Sequence, residues 1–225
     1  MIKALFLDFY GTVVHEDGAV IGEITQKIFE TGRAADQKEI ASFWWNEFQT
    51  LFSNSCGETF ETQRALEIRS LRKTVERFLS SADPEEKSRL LFEHWRRPPI
   101  FTESKRFFEK CPVPIHIVSN IDTGDIMKAL KFHDLKPAQV FTSEDAKSYK
   151  PRKELFELAL RSTGSRPEEV LHIGDSLTGD VQGAASSGIR AVWLNRSHRE
   201  VPEGIVAVGD LMEVFEITEL GVGEE

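Results

Sequence analysis

Four short polar clusters in this sequence carry side chains able to do chemistry, and three of them directly follow an apolar run. Asp8-Phe9-Tyr10-Gly11-Thr12 comes after Ala4, Leu5, Phe6 and Leu7. Ser119-Asn120 comes after residues 114–118, and Lys150-Pro151 lies beyond a loop. Gly174-Asp175-Ser176-Leu177-Thr178-Gly179-Asp180 comes after residues 170–173. If the apolar runs are neighbouring parallel strands, the clusters converge on the rim where open α/β sheets bind ligands. Two carboxylates meeting there, Asp8 and Asp175, repel each other unless a cation sits between them. Oxygen ligands with a few waters favour Mg²⁺. Ser119 and Lys150 add a hydroxyl donor and a fixed positive charge, which together suit an anionic small-molecule substrate.

The elements that must position these residues are legible from periodicity. A strand is expected over residues 3–8, where Ala4, Leu5, Phe6 and Leu7 form a nearly continuous apolar run, as a strand covered on both faces does. From about residue 20 to 97 the apolar residues recur at helical spacing and no strand is evident, so four or five helices are expected. Asp83-Pro84-Glu85-Glu86 reads as a helix start, with an N-cap, proline in the first turn and acidic residues beside the helix dipole. Arg97-Pro98-Pro99 reads as a linker. Beyond Pro99, strands are expected over 114–118, 139–142, 170–173, 191–194 and 206–208. Helices are expected over 102–110, 122–132, 152–161 and 179–187, with another closing the pattern. Strand–helix alternation predicts a doubly wound parallel sheet of the Rossmann type, with an all-helical insertion. The expected division is a core of residues 1–14 and 98–225 and a helical cap of residues 15–97. Residues 221–225 are expected to fray.

Bulk properties exclude several classes. Hydrophobic residues make up 40% and charged residues 29%, the balance of a globular chain rather than a disordered one. A net charge of −9 argues against nucleic-acid binding, which needs a basic footprint. No run of about 18 apolar residues is present to cross a membrane, and the opening residues read as a strand rather than a signal peptide. Cys56 and Cys111 lack metal or disulfide spacing. A cytoplasmic location with reduced thiols is expected, and the oligomeric state is not encoded in any of these features.

In their order and separation, the four clusters resemble the four motifs of the haloacid dehalogenase (HAD) superfamily, in the form with a helical cap inserted after the first strand. The resemblance covers essentially the whole chain. It implies that Asp8 is a nucleophile forming a transient ester or acyl phosphate, which divides one hard displacement into two easier ones. It implies magnesium held by Asp8, Asp175 and the Tyr10 carbonyl, with Asp180 acting directly or through water. Thr12, Ser119 and Lys150 would hold the transferring group, Lys150 would neutralise charge beside Asp8, and Asn120 would orient substrate.

Two motifs point in different directions. Most phosphatases of the superfamily carry a general-acid aspartate two residues after the nucleophile, and here that position is Tyr10. Asp-x-Tyr-Gly-Thr instead opens the 2-haloacid dehalogenases, which displace halide without a metal. The fourth motif, with Asp175 and Asp180, is the magnesium-binding version. No arginine for gripping halide occurs in the stretch Phe43-Trp44-Trp45-Asn46-Glu47-Phe48. The expectation is therefore a magnesium-dependent phosphohydrolase of a small phosphorylated metabolite. A metal-independent 2-haloacid dehalogenase and a weakly active or non-catalytic binding protein of the same fold are the alternatives. Elsewhere, Phe43, Trp44, Trp45 and Phe48 are expected in the cap core, His15 at a hinge, and His172 as a packed strand histidine. Arg33, Arg64, Arg69, Arg72 and Arg77 are expected on solvated helix faces.

Overall fold

The computed structural model describes residues 1–217, so the expected frayed tail at 221–225 lies outside the described residues. The chain forms two compact units. One comprises Met1–His15, Pro99–Asn120 and the described residues from His133 onward; the other comprises Glu16–Pro98 and Ile121–Phe132.

The first unit is built on six parallel strands: β1 (Ala4–Leu7), β2 (Ile115–Ser119), β3 (Gln139–Thr142), β4 (Val170–Gly174), β5 (Arg190–Leu194) and β6 (Ala207–Val208). Their order is β3-β2-β1-β4-β5-β6, with Leu5 opposite both Ile115 and Leu171 and Ser119 opposite Thr142. Every residue of β1, β2 and β4 is buried. Alternate side chains point to opposite faces, so full burial of Leu5 and Leu7 as well as Phe6 means that both faces of β1 are covered. That is the physical reason for the unbroken apolar run. On the Phe6 face the core includes Val118, Phe141, Val170 and the stripe Leu155, Phe156, Ala159 and Leu160. The stripe belongs to the helix Glu154–Thr163. Each large apolar side chain buried in this way contributes roughly 1.5–3 kcal/mol.

Two local features of this unit differ from the expectation. The four-residue helix Ser143–Ala146 is too short to show a period; it is made by a reciprocal cap between Thr142 and Asp145. The helix expected over 179–187 is a π-helical turn, Leu177–Gln182, running into the short helix Gly183–Ser186. The Asp180 carboxylate turns back to accept the Ser176 N–H at 3.0 Å and presses on Gly174, where a Cβ would come within 2.1 Å of it.

The second unit is helical: α1 (Gly18–Thr31), α2 (Gln37–Asn54), α3 (Gln63–Arg77) and α4 (Pro84–Arg96). Asp36, Thr62 and Asp83 cap α2, α3 and α4 through their side chains, and Asp83 accepts from both Glu85 and Glu86 as its Asp-Pro-Glu-Glu sequence implies. Trp44 and Phe48 are core residues here, and the Trp44 indole N–H donates to Ser70 Oγ at 3.0 Å. Trp45 is exposed. The segment after β2, including most of the helix Thr123–His133, groups with this unit rather than with the sheet. Its carboxylates explain why. Asp122 accepts from the main-chain N–H groups of Gln63 and Arg64 at the start of α3. Asp125 is 2% exposed and receives the Arg64 guanidinium at 2.6 and 2.5 Å and that of Arg96 at 3.1 Å. Arg64 is thus a paired residue and not part of a solvated face. Its guanidinium is held above the ordinary arginine range, first by its hydrogen bonds to Asp125.

Glu67, half-buried on α3, is pushed up to about 8 by burial and then by the Asp17 carboxylate. A carboxyl raised in the folded state keeps a proton that the unfolded chain has released, so stability falls as pH rises from about 4.5 towards 8. Glu67→Gln is expected to flatten that decline and to raise stability at pH 8 by about 1–3 kcal/mol, measured by urea unfolding at pH 5 and pH 8. Parallel pH profiles for the two proteins would sink the expectation.

Candidate active site

The site residues come from the carboxyl ends of β1, β2 and β4 and from the loop bearing Lys150. Asp8 leaves β1 with its N–H donating to Ile173 O at 2.9 Å. The chain then turns tightly, with the Val13 and Val14 N–H groups on Phe9 O and the Gly11 N–H on Val14 O. Gly11 has φ +86, and a Cβ there would lie 2.5 Å from Asp175 Oδ2. Backbone conformation and the approach of Asp175 therefore both require glycine. Thr12, fully buried, donates its hydroxyl to Asp175 Oδ1 at 3.2 Å.

Ser119, at the end of β2, donates to Asp8 Oδ1 at 3.1 Å. Lys150 donates to the same oxygen at 2.7 Å, to Asp180 Oδ1 at 2.6 Å and to Val118 O at 2.9 Å. All three ammonium hydrogens are thereby engaged. Asn120 clips the lysine in place: its amide donates to Lys150 O at 3.0 Å and its Oδ1 accepts the Lys150 N–H at 2.7 Å. Tyr10 is half-buried, its ring edge-on to Phe9 with centroids 5.2 Å apart. The His15 ring packs 3.8 Å from that of Phe101, and its N–H bonds Pro99 O.

Asp8, Asp175 and Asp180 each offer an oxygen within 4.8 Å of the others'. Burial pushes the Asp8 carboxyl upward; Lys150 opposes this and Asp180 adds to it. Burial would also raise Asp180, but the Lys150 charge and a hydrogen bond from His172 hold it well below the ordinary carboxylate range. Burial disfavours the Lys150 ammonium, yet Asp180 and Asp8 together hold it above the usual lysine range. Asp8 and Asp180 thus share one ammonium, with the Asp175 carboxylate close by, so carboxylates are in excess over the ammonium bonded to them. An all-oxygen cluster with that excess fits a divalent cation of the hard, oxygen-preferring kind.

Three residues at the site were not singled out as functional by sequence reasoning. His172, expected only to pack in its strand, is fully buried with Nε2 2.9 Å from Asp180 Oδ1. Asp180 is ionised and can only accept, so Nε2 carries the hydrogen. Trp193 donates its indole N–H to Asp175 O at 2.8 Å, and Arg196 donates to Thr12 O at 2.7 Å. The signal for His172 was available: a polar residue inside a fully buried strand needs a polar partner.

A family model described as haloacid dehalogenase-like hydrolase matches residues 2–188. A phosphoserine phosphatase of Thermus thermophilus is 33% identical over 134 residues, covering 55% of this chain and 53% of that protein. The chain thus spans about half the length of that relative. A phosphoglycolate phosphatase of Photorhabdus laumondii is 26% identical over 204 residues, covering 86% of this chain and 80% of its own. Among solved structures, the L-2-haloacid dehalogenase of Xanthobacter autotrophicus superposes with a TM-score of 0.76 at 15% identity, covering 96% of this chain and 98% of that one; this shows a shared fold. The paired carboxylate motifs, the parallel sheet and the extent of the family match lead to one conclusion: this chain belongs to the haloacid dehalogenase-like hydrolases.

Proposed function

We propose that the protein is a magnesium-dependent phosphohydrolase that acts on a small phosphorylated metabolite through an aspartyl phosphate at Asp8. The observation that carries this reading is the sharing of one ammonium, Lys150, by Asp8 and Asp180 with Asp175 alongside. Displacement of halide from carbon has no use for the excess negative charge, whereas phosphoryl transfer beside a divalent cation does. Asp8, Asp175 and the Tyr10 carbonyl would hold Mg²⁺, with Asp180 direct or through water; bound there, the ion supplies positive charge to the phosphoryl oxygens.

The chain's own groups have definable tasks. Ser119 and Lys150 hold Asp8 Oδ1, which leaves Oδ2 to attack phosphorus as the bond to the leaving oxygen breaks. Water then attacks the same phosphorus and restores the Asp8 carboxylate. Lys150 sets its fixed positive charge beside the charge that grows on the phosphoryl group, while Ser119 and Thr12, whose hydroxyl hydrogens lie on Asp8 and Asp175, orient the carboxylates that flank it. Asn120, with both ends of its amide on the Lys150 main chain, acts by positioning that lysine. The phosphatase relatives support the reaction class.

The Asp-Phe-Tyr-Gly-Thr opening favours a second reading, a metal-independent 2-haloacid dehalogenase. A screen of phosphate and halide release over small phosphomonoesters and 2-haloacids, with Mg²⁺ or with chelator, separates the two. Phosphate release that chelator stops is expected; halide release that survives chelator would overturn the proposal. Tyr10 sharpens the test, because no carboxylic acid stands at its position to protonate a departing alkoxide. Aryl phosphates are expected to be cleaved much faster than alkyl phosphates. Tyr10→Asp is expected to speed alkyl phosphate turnover by about tenfold or more, out of the roughly 10²–10⁴ that general acid catalysis supplies. Equal wild-type rates on both substrate classes under chemistry-limited conditions would contradict this.

A further inference from the structure

The end of β5 reaches back to the nucleophile loop in a way that none of the four motifs accounts for. Trp193 holds the Asp175 carbonyl at 2.8 Å, and Arg196 Nη2 holds the Thr12 carbonyl at 2.7 Å. Thr12 in turn bonds the Asp175 carboxylate. These contacts close a ring, Thr12 to Asp175 to Trp193 and through the β5 terminus to Arg196, which returns to Thr12. The arginine is itself restrained. Its Nη2 also donates to Glu103 Oε1 at 2.6 Å, and its guanidinium carbon lies 3.6 Å from the Phe101 ring centroid. Just before it in the chain, the Asn195 side chain bonds both the N–H and the carbonyl of Arg199.

The neighbouring loop carbonyl is held separately. Val13 O accepts from Ser104 Oγ at 2.8 Å and from the Phe101 N–H at 3.2 Å, so Thr12 O is the contact that depends on Arg196. Arg196 Nε is buried with no hydrogen-bond partner, a cost that packing alone does not explain. An aliphatic side chain of similar length would fill the same space without it. What the arginine adds is an ion pair with Glu103, which anchors it, and a charged hydrogen bond to the residue whose hydroxyl orients Asp175.

We propose that Arg196 is a positioning residue for the reaction: by gripping the Thr12 carbonyl, it sets the Thr12 hydroxyl and through it the Asp175 carboxylate. Misplacement of such groups by about 1 Å is costly in rate. The kinetic part of the test rests on the phosphohydrolase reading, and a second readout does not. Arg196→Met, Arg196→Lys, Thr12→Val and the Thr12→Val/Arg196→Met double variant are compared in the full chain. Turnover of an aryl phosphate at saturating Mg²⁺ is measured together with amide hydrogen exchange over residues 9–14.

Arg196→Met is expected to lower kcat by about tenfold with KM within about twofold, and Arg196→Lys to recover part of the loss, since an ammonium can still reach a carbonyl. In the Thr12→Val background the same change is expected to cost less than about twofold, because the group through which it acts is already gone. Exchange over 9–14 is expected to quicken in Arg196→Met while that of β2 and β4 stays unchanged. Full additivity of the two losses, an undiminished kcat, or a loss that vanishes on cooling along with the unfolded fraction would each overturn the proposal. Should wild type release no phosphate, the phosphohydrolase reading fails by itself. The exchange result then decides, with quicker exchange over 9–14 supporting the clamp and unchanged exchange overturning it.

Discussion

Asp8→Asn is expected to abolish turnover while leaving the fold intact. The loss follows from chemistry: an amide oxygen is a poor nucleophile, so the covalent step loses its attacking group. Removing a covalent nucleophile costs on the order of 10⁴-fold or more in kcat. The intact fold follows from the contacts of Lys150. In the variant the ammonium still meets Asp180 at 2.6 Å and Val118 O at 2.9 Å, so no buried charge is stranded. Burial already disfavours the ionised form of Asp8, so a neutral isostere is tolerated there. The measurements are steady-state phosphate release, urea unfolding, and intact mass after acid quench with an aryl phosphate. Wild type is expected to show a phosphate adduct and the variant none. A variant retaining more than about a hundredth of the wild-type rate would mean that Asp8 is not the nucleophile.

Lys150→Met should do the reverse, damaging stability and activity together. The lysine is 4% exposed and its ammonium lies between two buried carboxylates. Removing one partner of a buried ionic group costs about 3–5 kcal/mol, because the remaining charges lose their compensation. The pH dependence has a definite sign. In wild type, Asp180 is held below its ordinary 3.8, so its contribution is present above that value and lost as pH falls towards the depressed one. Without Lys150, Asp8 and Asp180 repel and both are pushed up, so the variant loses stability as pH rises above about 4. The stability gap between the two proteins is therefore expected to widen from pH 5 to pH 8 in urea unfolding without added metal. A gap independent of pH would show that the lysine acts by packing rather than by charge. Lys150→Arg should not rescue, since a planar guanidinium cannot place three hydrogens where a compact ammonium does.

Much of this architecture was legible in the residues themselves. Strands with both faces covered are mostly apolar, so residues 4–7 and 170–173 stood out, and the polar residue ending each run marked the rim. The caps at Asp83 and Pro84 were equally plain, because capping is local. What was hidden depends on side chains meeting across long sequence separations. The grouping of Ile121–Phe132 with the helical unit arises from Asp122 and Asp125 meeting α3 and α4. Neither carboxylate differs in sequence from an ordinary one at a helix start, Asp122 just before the helix and Asp125 in its first turn. Arg64 looked solvated for the same reason. The π-helical turn at Leu177–Gln182 carries Asp180 bonded back to the Ser176 N–H and packed on Gly174, contacts that helical periodicity cannot register. His172 and Arg196 lacked a motif, and only their partners reveal what they do.

The strand order β3-β2-β1-β4-β5-β6 also sets a timetable for synthesis. β1 leaves the ribosome first, but one of its two neighbours, β4, follows roughly 165 residues later. At about 5–20 residues per second, the apolar strand carrying the nucleophile waits roughly 10–30 seconds with one edge unsatisfied. Such an edge is a template for mispairing with other nascent chains, so this interval is when a chaperone holding the segment around β1 does most to raise the folded yield. The same delay orders the chemistry. Asp8, Ser119 and Lys150 are all synthesised before Asp175 and Asp180, so the carboxylate cluster is completed by the last of the four motifs. A polypeptide released early would carry the nucleophile and its lysine but lack the acidic partners that make the site a home for a cation.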